Sequence, residues 1–352
     1  MSILFKKIVL LFLYKISFPR KSPSNDLLVL TYHRVSDKPE LQDPLKVSLS
    51  TFQKQVLFLK KNYNIISAEQ LSDLLRNEDP YPDNACLITF DDGWQDNYTH
   101  AYPVLKKYDV PALIFLSTDY VGTHQPFWHE ELKHLLENMP LNADLEMLKG
   151  LSGKWPARAI EDVERILKAV RQRRKLLIND FIIYLKNSAS DKVDQLINEL
   201  RPLSNIRDPG NSSMLSWEQV EEMSRNNISF GSHTKGHAIL TQINNRQVVE
   251  ELTGSKIIIE DKLLIPVYFL SYPNGYYNQE IIQIAKDVGY LACFTCLPGR
   301  NNRKTDFFEL KRKHVREEFS LGLNRRFSEL FFRIELTDTR DYFKRWRRIE
   351  KY

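Results

Sequence analysis

Two adjacent carboxylates, Asp91 and Asp92, follow a short apolar segment at residues 87–90 and are followed in turn by Gly93. The apolar segment predicts a buried strand and the glycine a turn, so both carboxylates are expected at a strand's carboxyl end, where α/β folds place their chemistry. Two like charges in a desolvated site raise each other's pKa, which implies an electropositive partner such as a metal ion. The alternative is that the two aspartates only cap the next helix, since aspartate is a good N-cap residue.

A pair of histidines four residues apart, His233 and His237, follows a second strand-like segment at residues 228–232. If the chain is helical there, this spacing places both imidazoles on one face of a turn, where they can share a cation. The spacing alone is a weak signal, since coincidence or helix packing also produces it. Together with a strand-end Asp-Asp-Gly, it favours a three-ligand site for zinc or a similar divalent ion, made of one aspartate and two histidines.

These two motifs and a third one, Ser-Tyr-Pro-Asn-Gly at residues 271–275, resemble the motifs of the polysaccharide deacetylase family, the NodB-homology carbohydrate esterases of family 4. The resemblance runs in order from about Leu27 to Val315 and is interrupted by one long insertion. It implies a distorted (β/α) barrel of about seven parallel strands. It also implies a bacterial, metal-dependent hydrolase that removes acetyl groups from N-acetylated sugars or, less often, from O-acetylated ones.

The resemblance assigns roles to individual residues. Asp92, His233 and His237 are the expected ligands of a divalent metal, with zinc as the expected ion and cobalt or nickel as alternatives. Such an ion polarises the acetyl carbonyl and lowers the pKa of water. Asp91 is the expected general base, and the backbone N–H of Asn274 is a candidate oxyanion donor. The predicted substrate-binding residues are Tyr272, Pro273, Asn274 and Trp94.

A general acid is also required, because a free amine is a poor leaving group unless it is protonated. His33 is our preferred candidate, since the chain is most similar to the branch that deacetylates the exopolysaccharide poly-N-acetylglucosamine, whose acid histidine lies in an N-terminal Tyr-His segment. Its competitor is His314, but the basic residues around it, 311–314, are more typical of a solvated edge. Two family features are not evident: the third motif has Ser271 where many members carry an arginine, and no tryptophan motif is found around Asp306.

Strands and helices are expected to alternate along the chain and to position these motifs, as in parallel α/β architecture. Between about residues 123 and 213, strand signals vanish and helical ones replace them. We therefore predict a helical insertion at the rim of the barrel, on the side of the active site, because it follows a strand's carboxyl end. The elements predicted from apolar periodicity include a helix, strand and helix within residues 50–76, a helix at 97–108, a strand at 111–116 and a helix at 247–264.

Length and composition limit the function classes. The chain has 352 residues and a formal charge of only +5, which does not suggest a nucleic-acid-binding surface. Three cysteines do not form a disulfide framework, and Cys293 and Cys296 are interpreted as residues of one strand that face opposite ways. The predicted organisation is a basic and apolar N-terminal segment at 1–24, a polysaccharide deacetylase catalytic domain at 25–322 with the insertion at about 123–213, and a basic aromatic C-terminal tail at 323–352.

The two ends of the chain bear on localisation. Residues 1–22 resemble a signal peptide, but no small-residue cleavage site follows, and the apolar run is too short to span a bilayer. We interpret them as a basic segment lying on a membrane surface, or alternatively as a helix packed on the protein body. Residues 340–352 contain six basic and two acidic residues, a net charge of +4, interleaved with aromatics that suit a membrane surface or an anionic glycan. The prediction is a membrane-associated or cell-envelope protein, with a cytoplasmic location as the alternative and the oligomeric state left open.

Three functional hypotheses follow. The first is a carbohydrate N-deacetylase, a hydrolase of non-peptide carbon–nitrogen bonds, acting on an N-acetylhexosamine-containing polysaccharide or glycan. The second is an O-acetyl esterase, which would use the same site but need its acid less. The third is a catalytically weak glycan-binding or assembly protein that keeps the metal site as structure. No nucleic-acid partner is predicted.

Overall fold

A parallel sheet forms the centre of the computed structural model, which describes residues 25–37, 43–140, 155–186, 188, 190–203 and 213–337. The strands are β1 (Leu28–Tyr32), β2 (Arg34–Ser36), β3 (Lys46–Ser48), β4 (Asn64–Ile65), β5 (Ala85–Phe90), β6 (Ala112–Leu116), β7 (Ile228–Ser232), β8 (Phe269–Ser271), β9 (Ala292–Phe294) and β10 (Lys313–His314). Seven of them pair in the order β10-β1-β5-β6-β7-β8-β9, while β4 pairs with β5, and β2 pairs with β3 in a separate small sheet.

Helices pack around this sheet or form the insertion between β6 and β7. They are α1 (Leu49–Asn62), α2 (Ala68–Arg76), α3 (Tyr102–Tyr108), α4 (Trp128–Asn138), α5 (Ala157–Lys168), α6 (Arg171–Leu185), α7 (Ser190–Leu200), α8 (Trp217–Ser224), α9 (Asn245–Leu263), α10 (Gln279–Asp287), α11 (Glu317–Ser320) and α12 (Glu329–Glu335). Every residue of β1, β5 and β6 is buried, because these strands are covered on both faces. The predicted alternation is confirmed, with one difference: the helix after the Asp-Asp-Gly turn begins as a π-helical turn at Asn97–Ala101 before α3.

The two ends of the sheet are joined by the segment that contains β10. The backbone of Leu310 donates to Cys293 at 3.0 Å and accepts from Thr295 at 2.8 Å, which attaches this segment to the β9 side. A few residues later, β10 pairs with β1, with His314 opposite Thr31. The strands thus form the predicted distorted barrel. The interpretation of residues 311–314 as a solvated edge was wrong, because the segment pairs on both sides and is not an edge, and because Arg312 and Lys313 are only 2% and 5% exposed.

In the described part of the insertion predicted at about 123–213, the regular structure is helical and includes α4 to α7. The insertion has an apolar core of its own, built around residues such as Leu136, Ile166 and Phe181. Phe127, at the start of α4, connects it to the barrel, since its ring lies 5.4 Å from the ring of Trp94 and 4.5 Å from that of His237. The insertion therefore sits directly beside the predicted metal ligands.

The first part of the predicted C-terminal tail belongs to the folded body. Helix α12 places Phe332 in the barrel core, with its ring 5.4 Å from that of Phe58 in α1. The predicted segment 1–24 and the basic residues 340–352 lie outside the described residues. Within the described part of the chain, no helix combines the length and the apolarity needed to cross a membrane. Cys293, in β9, and Cys296, just beyond it, are both free.

Candidate active site

The two carboxylates lie at the carboxyl end of β5, as predicted, but they face different partners. The chain turns sharply after Asp91, because Asp92 and Gly93 both adopt left-handed backbone angles, with φ of 81° and 82°. A side chain at Gly93 would come within 2.8 Å of Leu116, so glycine is needed at this position for two reasons. This turn separates one carboxylate from its neighbour, and each then enters its own network.

Asp92 belongs to a buried cluster with the two predicted histidines. Its Oδ1 lies 3.4 Å from Nε2 of His233 and 3.4 Å from Nε2 of His237, and one ligand atom from each residue lies within 4.8 Å of the others. Nδ1 of His233 donates to the carbonyl of Ser271 at 2.7 Å, which leaves Nε2 facing the cluster. Two imidazole nitrogens and one carboxylate oxygen that converge in this way fit a divalent ion such as zinc.

The histidine loop differs from the predicted helical turn. Thr234 and His237 adopt left-handed angles, with φ of 64° and 55°, and no helix is assigned between them. The carboxylate of Glu251 shapes the loop by accepting from the backbone N–H groups of Lys235 at 2.8 Å and Gly236 at 2.9 Å. The two imidazole rings still lie 4.9 Å apart. Their proximity was predicted correctly, but the reason given for it was wrong.

Trp94, predicted to bind substrate, is fully buried with 0% exposure. A buried ring cannot stack on a sugar, and its indole N–H instead donates to Oδ2 of Asp92 at 2.9 Å. This contact fixes the orientation of the carboxylate and leaves Oδ1 to the histidine side. Burial raises the pKa of Asp92, but the hydrogen bonds to His233 and His237 outweigh it and hold the pKa well below its ordinary value.

Asp91 lies outside this cluster and forms a buried, bidentate ion pair with Arg312, with both N–O distances at 2.7 Å. The same guanidinium donates to Oγ of Ser271 and to the carbonyl of Thr295, both at 2.9 Å. Burial raises the pKa of Asp91, but the Arg312 charge outweighs it and lowers the pKa to about 2. Asp91 is therefore ionised at neutral pH and fixed in orientation, as a general base must be.

Arg312 was missed in the sequence analysis, which noted the lack of an arginine beside the third motif. The guanidinium comes instead from β10's segment and reaches Ser271 of the third motif from across the barrel. The only local sign was that apolar residues, Leu310 and Val315, flank the basic run, and both are buried. The sequence pattern alone did not distinguish this buried segment from a solvated edge.

Both candidate acids, His33 and His314, lie at the same place, with ring centroids 5.0 Å apart. His33 follows β1, and its carbonyl accepts from the side chain of Asn97 at 2.8 Å. Among the described residues, buried Nδ1 of His33 and Nε2 of His314 have no hydrogen-bond partner. Burial lowers the pKa of His314 well below its ordinary value, and His33 and Arg316 add to this effect. His314 is therefore held neutral at neutral pH.

The third motif contributes mainly scaffold. Tyr272 is fully buried, stacks on Tyr277 at 5.0 Å and donates from its hydroxyl to the carbonyl of Phe308 at 3.2 Å, and Pro273 is also buried. Neither side chain presents the surface that the predicted substrate contact requires. Asn274 is half-buried and lies in the left-handed region, with φ of 56°. Its side-chain oxygen accepts from Lys186 of the insertion at 2.5 Å.

The insertion also brings a further histidine to the site, which the sequence analysis missed. The ring of His129, in α4, lies 6.1 Å from that of His237 and stacks on Phe127 at 5.8 Å. Burial lowers the pKa of His129 to about 3, with smaller contributions from His237 and Lys186. No signal in the sequence placed this residue near the predicted metal ligands, because the contact depends on how the insertion folds back.

A parallel barrel with a buried Asp-His-His cluster at the carboxyl ends of its strands, and a second carboxylate beside it, is the architecture of a NodB-homology hydrolase. A family model described as polysaccharide deacetylase matches residues 78–172 and 187–293. This is more than half of the chain, and the chain belongs to the polysaccharide deacetylase family. It is thus a carbohydrate deacetylase.

Individual relatives agree with this assignment. The chain is 26% identical over 291 residues to a putative polysaccharide deacetylase, YxkH, of Bacillus subtilis, covering 82% of this chain and 71% of the relative. It is 24% identical over 253 residues to the poly-beta-1,6-N-acetyl-D-glucosamine N-deacetylase of Staphylococcus epidermidis, covering 67% and 81%.

Solved structures show the same fold at lower identity. The deacetylase PplD of Streptococcus pyogenes, solved with acetate, superposes with a TM-score of 0.56 at 18% identity, over 90% of this chain and all of that one. IcaB of Ammonifex degensii superposes with a TM-score of 0.53 at 21% identity, over 83% and 93%. The predicted barrel is confirmed by these neighbours as well as by the strand order.

Proposed function

We propose that this protein is a metal-dependent N-deacetylase acting on an N-acetylhexosamine-containing polysaccharide or glycan of the cell envelope. The observation that carries the proposal is the separation of the two carboxylates, since Asp92 faces two histidines while Asp91 is held beside them by Arg312. This arrangement provides a ligand set and an independent base within one site. Relatives named as poly-beta-1,6-N-acetyl-D-glucosamine N-deacetylases support the choice of substrate class.

Asp92, His233 and His237 would hold the divalent ion, with zinc as the expected ion and cobalt or nickel as alternatives. When bound, such an ion supplies Lewis-acid chemistry, which polarises the acetyl carbonyl and makes water more acidic. The protein's own contribution is to fix the ligand atoms before binding, through Trp94 on Asp92 and the Ser271 carbonyl on His233. Partners of this kind typically change metal affinity or activity by about 10- to 100-fold.

Asp91 takes the proton from the attacking water. Its charge is maintained at neutral pH by Arg312, and its two oxygens are fixed because the guanidinium binds both. The backbone N–H of Asn274 is our candidate donor to the developing oxyanion. The left-handed turn at Asn274 and Gly275 holds this group in place, and a preorganised donor of this type contributes more than one that must reorient during the reaction.

His33 donates a proton to the departing amine, so the products are acetate and a glucosamine unit. We assign this role to His33 rather than to His314 because burial lowers the pKa of His314 and so disfavours the protonated imidazolium that a general acid needs. His33 is close enough to Asp91 to contribute to lowering its pKa, which supports a role for both residues in one site. The neutral His314 ring, 5.0 Å away, then positions its neighbour.

The test is acetate release from poly-β-1,6-N-acetylglucosamine and from chito-oligosaccharides. The protein is assayed as purified, after chelation, and after zinc, cobalt or nickel is restored. We expect release that stops on chelation and returns with metal. No release from any N-acetylated glycan, by protein shown to contain its metal, would overturn the proposal and point to O-acetyl esters or to a non-catalytic role.

A further inference from the structure

The helical insertion also contacts the rim of the active site through Lys186, which directly follows α6. Its ammonium donates to Oδ1 of Asn274 at 2.5 Å, and its backbone carbonyl accepts from the side chain of Gln242. Asn274 follows β8, and Gln242 lies on the chain after the histidine loop of β7. Lys186 is thus attached at two points to the rim of the barrel, on the side where the metal ligands lie.

The turn at Asn274 and Gly275, which Lys186 contacts, is rigid. Gly275, next to Asn274, has φ of 72°, and a Cβ there would lie 2.7 Å from the backbone nitrogen of Cys296. The turn is therefore pressed against the end of β9 and cannot easily shift. A fixed turn sets the position of the Asn274 side chain, and through it the position of the Lys186 ammonium.

Lys186 brings positive charge to the site without a carboxylate of its own. Its side-chain partner is a neutral amide, and in the part of the chain that the structure describes it forms no ion pair. The two nearby carboxylates already have partners, since Asp91 pairs with Arg312 and Asp92 faces two histidines and Trp94. The ammonium lies against Asn274, which follows β8, and β8 pairs with β7, the strand that leads to His233 and His237.

We propose that Lys186 forms a cationic subsite for a carboxylate or phosphate group carried by the glycan next to the acetamido group that is removed. Lys186 is half-buried, and its ammonium is bound by a neutral amide oxygen. Because the carboxylates of the site already have partners, this ammonium is suited to bind an external anion. The substrate class is then an acidic glycan, in which N-acetylhexosamine is joined to uronic acid or carries phosphate. This inference rests on the proposed deacetylase function.

The test compares two oligosaccharides of equal length. One is neutral N-acetylglucosamine tetrasaccharide, and in the other N-acetylglucosamine alternates with glucuronic acid. For Lys186→Met we expect kcat/KM on the acidic substrate to fall about tenfold, mostly through a higher KM, as for the loss of one charge-assisted hydrogen bond. On the neutral substrate, kcat/KM should fall less than about twofold. A phosphorylated N-acetylglucosamine oligosaccharide, assayed in parallel, distinguishes phosphate from carboxylate as the preferred group.

The matched control is Lys175→Met, because Lys175 is an exposed lysine of α6 and its loss should not change kcat/KM on either substrate. Equilibrium binding of the acidic and neutral oligosaccharides, measured by calorimetry at low and high salt, tests the subsite without requiring turnover. If Lys186→Met binds only the acidic oligosaccharides more weakly than the wild type does, the subsite is supported. If no acetate is released in that case, the proposed deacetylase function is wrong but the subsite still stands. Equal effects of Lys186→Met on acidic and neutral oligosaccharides, or no effect on either, would overturn the inference.

Discussion

The site has two halves that meet at one end of the barrel but are assembled differently. One half, which we call the metal half after its proposed role, consists of Asp92, from the end of β5, and two histidines from one loop after β7. The other, the proposed proton half, consists of residues at or next to β1, β5 and β10, which are up to 281 residues apart between His33 and His314. The first half depends on two local motifs, whereas the second exists only because the barrel closes.

The two halves also differ in their electrostatics. In the metal half a carboxylate faces two imidazoles, an arrangement that a divalent ion can complete. In the proton half, Asp91 already has its counter-charge in the buried guanidinium of Arg312. Two neighbouring aspartates can therefore carry out different tasks, because each has its own positively charged or hydrogen-bonding partners. Variants that affect one half and spare the other test this division.

The largest effect is expected for Asp91→Asn. Asparagine keeps the shape but cannot take a proton, so kcat should fall by about 10⁴-fold, the upper end of the range for general acid–base catalysis. Metal content should remain unchanged, because Asp91 is not in the ligand cluster. Acetate release and metal analysis of the same preparation check both statements. Asp92→Asn is the opposite control and should lose metal. An Asp91→Asn protein that retains a tenth of the activity would contradict the separation of the halves.

Within the proton half, His33→Ala should lower kcat by about 10³-fold on an N-acetylated glycan. The loss should be much smaller on an acetyl ester with an activated leaving group, because that group departs without a proton. His314→Ala is the matched variant and should cost less on the N-acetylated glycan, since burial keeps that ring neutral. Rates on both substrates decide the assignment. If His314→Ala shows the larger, leaving-group-dependent loss, the two roles are reversed.

Arg312→Met should lower activity by about 10²-fold, because the catalytic carboxylate is then misplaced. It should also lower the free energy of unfolding by about 3–5 kcal/mol, because a buried ion pair is broken. In the wild type the pKa of Asp91 is held at about 2, below its ordinary 3.8, so the pair stabilises the protein above about pH 4 and this contribution is lost toward pH 2. Without Arg312, burial raises the pKa, and the acid limb of the pH–rate profile should move to higher pH.

Urea unfolding at pH 7 and pH–rate profiles check this prediction. Arg312→Lys is the control, because it keeps the charge but loses the bidentate geometry, and its effects should be intermediate. The double variant Asp91→Asn/Arg312→Met should be more stable than Arg312→Met alone, since no buried charge is left unpaired. A stable Arg312→Met protein with an unshifted profile would mean that the ion pair does not set the charge of Asp91.

The difference between the halves also explains what the sequence could predict. The strand-end Asp-Asp-Gly and the histidine pair are short motifs beside apolar strands, so the clustering of Asp92, His233 and His237 and the barrel followed from local patterns and from the family resemblance. The role of Arg312 did not follow, because a buried ion pair between residues 91 and 312 depends on which strands become neighbours. Lys186 and His129 were missed for a similar reason, since they belong to an insertion whose packing no local pattern specifies.

The roles of Trp94 and Tyr272 were misjudged because aromatic residues beside a glycan site are natural candidates for stacking on sugars. Their burial depends on neighbours distant in the sequence, Phe127 for Trp94 and Phe308 for Tyr272. The histidine loop shows the converse case. The spacing correctly predicted that His233 and His237 come together, yet the left-handed residues that achieve this cannot be read from spacing alone.

The smallest effect is expected in the metal half, for Trp94→Phe. Phenylalanine fills most of the volume but removes the indole N–H that donates to Oδ2 of Asp92. The carboxylate is then less well oriented, and metal affinity should weaken by about tenfold, the lower end of the range for partners of metal ligands. Competition with a chromophoric chelator measures this. At saturating metal, kcat should recover to within about twofold, because Asp91 and Arg312 are untouched.

Trp217→Phe is the matched control, since that indole is half-buried at the start of α8 and packs near Lys262 rather than beside the ligands. Its metal affinity should equal that of the wild type. If Trp94→Phe instead lowered kcat at saturating metal as strongly as His33→Ala does, Trp94 would act in the proton half as well. The two halves would then be coupled through the Asp91-Asp92 backbone, and the division drawn from their hydrogen-bond partners would not hold.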